Sequence, residues 1–144
     1  MGKKYICLGC YEIYNGDYLK IDEWLDEQIC PKTDCSGHII EVDDLLIPTI
    51  ITLNKKGYYT KFCCSGHYDF QHPEGYIYFE EGIKLPNVPN GFYLEEEDGK
   101  GATIRSNICK NRMLRKPTHA DFYKICDNAK SLLKWADQLP YYEE

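Results

Sequence analysis

Hydrophobic positions along this chain alternate between two periods, and the changes of period mark its elements. Near the C-terminal end Phe122, Ile125, Cys126, Ala129, Leu132, Leu133, Ala136 and Leu139 form one apolar stripe at helical spacing. Pro117-Thr118 introduces this helix, with Thr118 as cap and Asp121 three residues on, and Pro140 stops it. A second helix is predicted after Asp43-Asp44, where Leu45, Leu46, Ile50 and Leu53 fit a helical period. The aspartates suit its start, Pro48 is tolerable only near that start, and Gly57 after two lysines suits its end. Four strands are predicted between the helices, at 58–63, 75–80, 92–95 and 102–106, all rich in β-branched or aromatic residues. A loop from Pro86 to Gly91 and a turn at Asp98-Gly99 separate them. Helix, strands, helix predicts an α+β domain, with two helices against one face of a small, mainly antiparallel sheet.

The first forty or so residues read differently. Their large apolar groups are few: Tyr5, Ile6, Tyr11, Tyr14, Tyr18, Leu19, Ile21 and Trp24. A turn is expected at Asn15-Gly16-Asp17 and a strand from His38 to Val42. So thin a core needs a further source of stability. Cysteines offer one. Cys7 and Cys10 are separated by two residues, nineteen residues follow, and Cys30 and Cys35 are separated by four. Tetrahedral zinc takes four such ligands, and two cysteines close in sequence can hold one metal from a single tight turn. Pro31 and Gly37 fit a bend at the second pair. This resembles a zinc ribbon, in which two cysteine knuckles sit at the tips of short hairpins. A site of four thiolates leaves no position for water, so the expected role of Zn2+ is structural. His38 stands three residues past Cys35 and offers an alternative ligand, although its place suits the start of a strand. The expected division is a zinc-ribbon-like module at 1–41 and an α+β domain at 42–144.

Composition narrows the setting. The chain has 144 residues, 43% hydrophobic and 28% charged, which places it among globular proteins. The start, MGKKYICLGC, lacks the apolar run of a secretory signal, and the run from Leu45 to Leu53 is too short for a membrane. A cytoplasmic protein is therefore expected, in which eight cysteines are better explained by metal and buried thiols than by disulfides. A net charge of −6 disfavours non-specific DNA binding. Asp22, Glu23, Asp26, Glu27, Glu41, Asp43 and Asp44 around the metal module point away from nucleic acid as its direct partner. A local basic stretch runs from Arg105 through Lys110, Arg112, Arg115 and Lys116. A protein or RNA partner stays open.

The tetrapeptide CSGH occurs at 35–38 and again at 64–67. In the second copy Cys64 follows Cys63 but no second pair of cysteines lies close by, and attention moves to the end of the preceding strand. Thr60, Cys64, Ser65, Gly66, His67, Asp69 and His72 are the candidates for a ligand pocket, with backbone N–H groups at Ser65-Gly66 and an acid–base group at His67. A second metal site on Cys63 or Cys64 with His67 and His72, and a purely structural turn, remain alternatives. The run from Leu53 to Phe70, with its Tyr-Thr strand and Cys64-Ser65-Gly66, resembles the wybutosine-synthesis tRNA methyltransferase family. His67 departs from that family's arginine, and the chain lacks the family's size. The resemblance implies a related α+β fold and, further off, S-adenosylmethionine chemistry. The chain also resembles small zinc-ribbon proteins of Firmicutes and their phages, which implies a host-interaction or regulatory role. Two function classes follow: a zinc-containing binding or regulatory module that engages a macromolecule, which is favoured, and an RNA- or nucleotide-modifying enzyme with its pocket at 60–72.

Overall fold

The computed structural model describes residues 3–14, 20–22, 27–32, 34–35, 37–64, 75–96, 101–106 and 119–143. They form an α+β fold with a cysteine cluster at its N-terminal end, antiparallel sheets and two helices. Strand β1 (Lys3–Cys7) pairs on one side with β2 (Ile13–Tyr14) and on the other with β5 (Ile39–Asp43). A two-stranded ribbon, β3 (Lys20–Asp22) and β4 (Glu27–Ile29), lies between them in sequence. A 3-10 turn at Asp44–Leu46 then leads into α1 (Ile47–Lys55). A four-stranded sheet follows in the order β6 (Thr60–Cys64), β7 (Tyr76–Phe79), β9 (Thr103–Ser106), β8 (Phe92–Glu95), antiparallel throughout. Helix α2 (His119–Gln138) comes last. Among the described residues no helix is long and apolar enough to cross a membrane.

The period of two in β1 and β5 divides their side chains between two cores. Ile6 pairs with Ile40 and turns, with Val42, into the main core. Cys7 pairs with Ile39, and these turn to the other face with Tyr5 and Tyr14. The main core joins Ile6, Ile40 and Val42 to Leu46, Ile50 and Leu53 of the first helical stretch, Ile77, Phe79 and Ile104 of the four-stranded sheet, and Leu132, Trp135, Ala136 and Leu139 at the end of α2. Strand β5 thus spans the junction at 41/42, and residues on both sides of it share one core.

Helix α1 ends as its sequence predicts. Gly57 has φ +92°, its N–H donates to Asn54 O at 3.1 Å, and the Tyr58 N–H donates to Leu53 O at 2.9 Å. This is a Schellman cap, which needs a residue in the left-handed region. Lys56, beside it, reaches across to α2. Its ammonium donates to the carbonyls of Ala136, Asp137 and Leu139 at 2.9, 2.8 and 2.7 Å. The Ala136 carbonyl also accepts from the Leu139 N–H at 3.3 Å, and a cation at this helix end fills the remaining acceptor capacity and opposes the helix dipole. The tail folds back over the same corner: the Tyr142 N–H donates to Lys56 O, and the Tyr58 hydroxyl donates to Pro140 O.

Trp135 was not part of the stripe read from sequence, yet it is buried, with its indole N–H donated to Asn87 Oδ1. The loop carrying Asn87 and Asn90 lies against α2 and widens its buried face; Ser131 Oγ donates to Asn90 O. Cys126, which belongs to the stripe, is only half-buried. The turns expected at Asn15-Gly16-Asp17 and Asp98-Gly99, the residues Tyr18, Leu19 and Trp24, and the Pro117-Thr118 cap lie outside the described residues.

Candidate metal centre

The cysteine cluster is built by two turns that face each other. In the first, β1 delivers Cys7, and the chain turns back through Leu8, Gly9 and Cys10 toward β2. The Tyr11 N–H donates to Cys7 O at 2.7 Å, and Tyr11 itself takes φ +60°. In the second, the Cys35 N–H donates to Lys32 O and the Cys30 N–H donates to Gly37 O, closing the wider turn that leads into β5. The Leu8 N–H donates to His38 O at 2.9 Å and joins one turn to the other. His38 is exposed and lies in that backbone connection, outside the sulfur cluster.

The sulfurs of Cys7, Cys10, Cys30 and Cys35 all lie within 4.8 Å of one another. Cys7 and Cys35 are 3.5 Å apart, and Cys10 and Cys30 are 3.8 Å apart. Zinc–sulfur bonds of about 2.3 Å in a tetrahedron put the sulfurs about 3.8 Å apart. Donor set and spacing therefore fit zinc, and the cluster is positioned to coordinate a structural Zn2+ ion. Its four positions are all thiolate, so no place is left for a reacting water.

Hydrogen bonds orient these ligands and spread their negative charge, as outer partners of metal ligands do. Cys7 Sγ accepts from the Gly9 N–H at 3.3 Å and the Cys10 N–H at 3.4 Å. Cys35 Sγ accepts from the Gly37 N–H at 3.4 Å. The same Cys-x-Gly arrangement thus occurs in both turns, and it is legible in the sequence as Cys7-x-Gly9 and Cys35-x-Gly37. The glycines also let the turns meet. A Cβ on Gly37 would stand 2.4 Å from Cys7 Sγ and 3.0 Å from Gly9 N. The sequence reading did not identify Tyr14 as a partner of the site. Its hydroxyl stands 3.3 Å from Cys30 Sγ and donates once that sulfur is a thiolate.

These surroundings set the thiols apart. Burial pushes Cys7 up to about 12, outweighing its two N–H donors. Burial acts on Cys30 too, but hydrogen bonds from the Tyr14 hydroxyl, the Lys32 N–H, Cys7 and Cys10 together overcome it and bring Cys30 down to about 7. The Tyr14 hydroxyl is held above its usual range, chiefly by its bond to Cys30. A metal ion entering the site must therefore displace protons, above all from Cys7.

The centre is tied to the helices. Lys55 of α1 places its ammonium 5.0 Å from the centre of the Tyr11 ring, and Leu8 and Tyr11 pack against the main core. An exposed ion pair, Lys32 to Glu12 at 3.2 Å, links the two turns and adds little energy at that exposure.

Of the pocket candidates, Ser65, Gly66, His67, Asp69 and His72 lie outside the described residues. Thr60 is 2% exposed, and its hydroxyl accepts from the Asn54 amide at 3.0 Å, inside the corner between α1 and β6. Cys64 ends β6, paired with Tyr76 and half-buried. Burial pushes the neighbouring Cys63 thiol up to about 12, as expected of a packed thiol rather than a nucleophile. Of the basic stretch, Arg105 is engaged by Glu95 at 3.3 Å and lies over the Tyr76 ring, while 107–116 lie outside the described residues. A groove of about 790 Å3 runs between residues 81–86 and 140–143, walled by Tyr58, Leu85, Tyr141 and Tyr142 among others, and neither of the described candidates, Thr60 and Cys64, lines it.

In comparisons with protein-family models, curated proteins and solved structures, nothing matches this chain.

Proposed function

We propose that the chain is a zinc-stabilised binding or regulatory module whose partner is a protein. The observation that carries this is the four-sulfur site: closed, buried at two of its cysteines, and supplied with backbone donors. Such a metal holds a shape and performs no chemistry. What it holds is the junction of both turns with β1 and β5, the strands that also enter the main core.

A protein partner is favoured over RNA by charge. The chain carries −6, and the Arg105 guanidinium is already committed to Glu95 and the Tyr76 ring. Nucleic acid binding draws most of its strength from cations available to phosphates.

The test is a selection from a displayed peptide library against the zinc-loaded chain. Selected peptides are then resynthesised and their affinities measured with and without zinc, beside a short single-stranded RNA. The expected result is saturable, zinc-dependent peptide binding that changes little with salt. Strong RNA binding that falls steeply with salt, without peptide binding, would overturn the proposal.

A further inference from the structure

The four sulfurs do not share the same protection. Cys7 is fully buried and receives two backbone N–H groups; Cys30 is buried and bonded to the Tyr14 hydroxyl; Cys35 receives the Gly37 N–H. Cys10 is half-buried, and among the described residues no N–H or O–H group donates to its sulfur. Oxidation of a thiolate follows its electron density and its exposure. A zinc-bound thiolate without hydrogen bonds keeps the most density on sulfur; Cys10 and Cys35 are both half-buried, and of these two only Cys10 lacks an N–H donor among the described residues. The sulfur placed to trap its oxidised form is Cys30, at 3.8 Å across the cluster.

We infer that the centre is a peroxide-sensitive switch, in which Cys10 is oxidised first and closes a disulfide with Cys30, releasing the metal. The inference rests on the zinc reading above. Peroxide transfers one oxygen to the Cys10 thiolate as its O–O bond breaks, and hydroxide leaves. The Cys30 thiolate attacks the resulting sulfenic sulfur, the S–O bond breaks, a second hydroxide leaves, and the S–S bond forms. The two sulfurs give up two electrons, and the peroxide ends as water after taking two protons from solvent. The sulfurs close from 3.8 Å to about 2.0 Å. With two of four thiolates consumed, the site loses its hold on the ion. Cys7 and Cys35, 3.5 Å apart, are then the remaining pair. The two turns are held to β1 and β5 by backbone hydrogen bonds that the disulfide leaves intact, so reduction in the presence of zinc restores the site.

The experiment treats the zinc-loaded full chain with substoichiometric hydrogen peroxide. Zinc release is followed with a chromogenic chelator, and the linkage is mapped by mass spectrometry. Cleavage at Lys20 and Lys32 separates Cys10, Cys30 and Cys35, and fragmentation distinguishes Cys10 from Cys7. Expected are zinc release in step with a Cys10–Cys30 disulfide, reversal by dithiothreitol with added zinc, and several-fold faster release in Tyr14→Phe, which bares Cys30. A first disulfide within one turn, Cys7–Cys10 or Cys30–Cys35, would overturn the inference, as would retention of zinc while Cys63 or Cys126 oxidises. Zinc content is measured before peroxide is added. A chain that binds less than half an equivalent refutes the metal reading itself, whereas a loaded chain that resists peroxide refutes only the switch.

Discussion

A methyl group at position 37 has nowhere to go. It would meet Cys7 Sγ at 2.4 Å, where nonbonded heavy atoms prefer about 3.5–4.0 Å, and the backbone of Gly9 blocks retreat at 3.0 Å. Gly37→Ala is therefore expected to push the turns apart and weaken zinc binding by about tenfold or more. Gly9→Ala meets its nearest atoms at 3.2 and 3.3 Å and should cost less. A competition titration with a zinc chelator ranks the two, and equal affinities would contradict the packing argument. Protons compete for the same sulfurs. Because burial holds the Cys7 thiol up to about 12, it keeps its proton in the metal-free protein throughout the neutral range. Zinc must displace that proton, so zinc affinity should rise with pH from 6 to 8 or so and fall on acidification. A pH-independent affinity would argue against thiolate ligation.

Between elements, two polar devices hold one corner. Lys56 serves the carbonyls of Ala136 and Asp137 in the last turn of α2 and of Leu139 just beyond it, and its replacement by Met keeps most of the stem while removing every donor. The expected loss is about 2 kcal/mol in denaturant unfolding, given that hydrogen bonds from a charged group to a helix end carry that order of energy. Asn54 is the second device. Its amide donates to Ile50 O and Thr60 Oγ1 and accepts from the Thr60 N–H, all buried. Asn54→Ala would strand the Thr60 groups away from water, and a loss of about 2 kcal/mol is expected, because an orphaned buried group bears its full desolvation penalty. Either variant within a few tenths of wild type would show that water replaces the lost partner. The two helices, the glycine that ends α1 and the strands of the four-stranded sheet were legible beforehand, because burial on one face imposes its period on the sequence, whereas β2, β3 and β4, of two or three residues each, were too short to show one. Trp135 and its bond to Asn87 were not, since that pairing joins α2 to a loop distant in sequence.

At the scale of the whole molecule, β1 and β5 couple the metal to the core. Each sends alternate side chains to the cysteines and to the helices. Removing zinc with a chelator should therefore lower the melting temperature of the helices as well as that of the turns, in one transition seen alike by circular dichroism and by zinc release. Helices that melt unchanged after chelation would show that the two cores act separately.

The sequence by itself determined the two helices, the strands of the four-stranded sheet, β5 and the four cysteines of the cluster, because these depend on short-range patterns: period, capping residues, and cysteine pairs close enough to form turns. It also fixed that those ligands are all sulfur, and hence that the centre is closed. Only the tertiary structure decided which sulfurs face each other, that Tyr14 bonds to Cys30, that Gly9 must meet Gly37, and that Thr60 is spent within the core. These relations join residues brought together by strand pairing and turn packing, and no local periodicity encodes the distance between two side chains that meet only when the sheets and helices close.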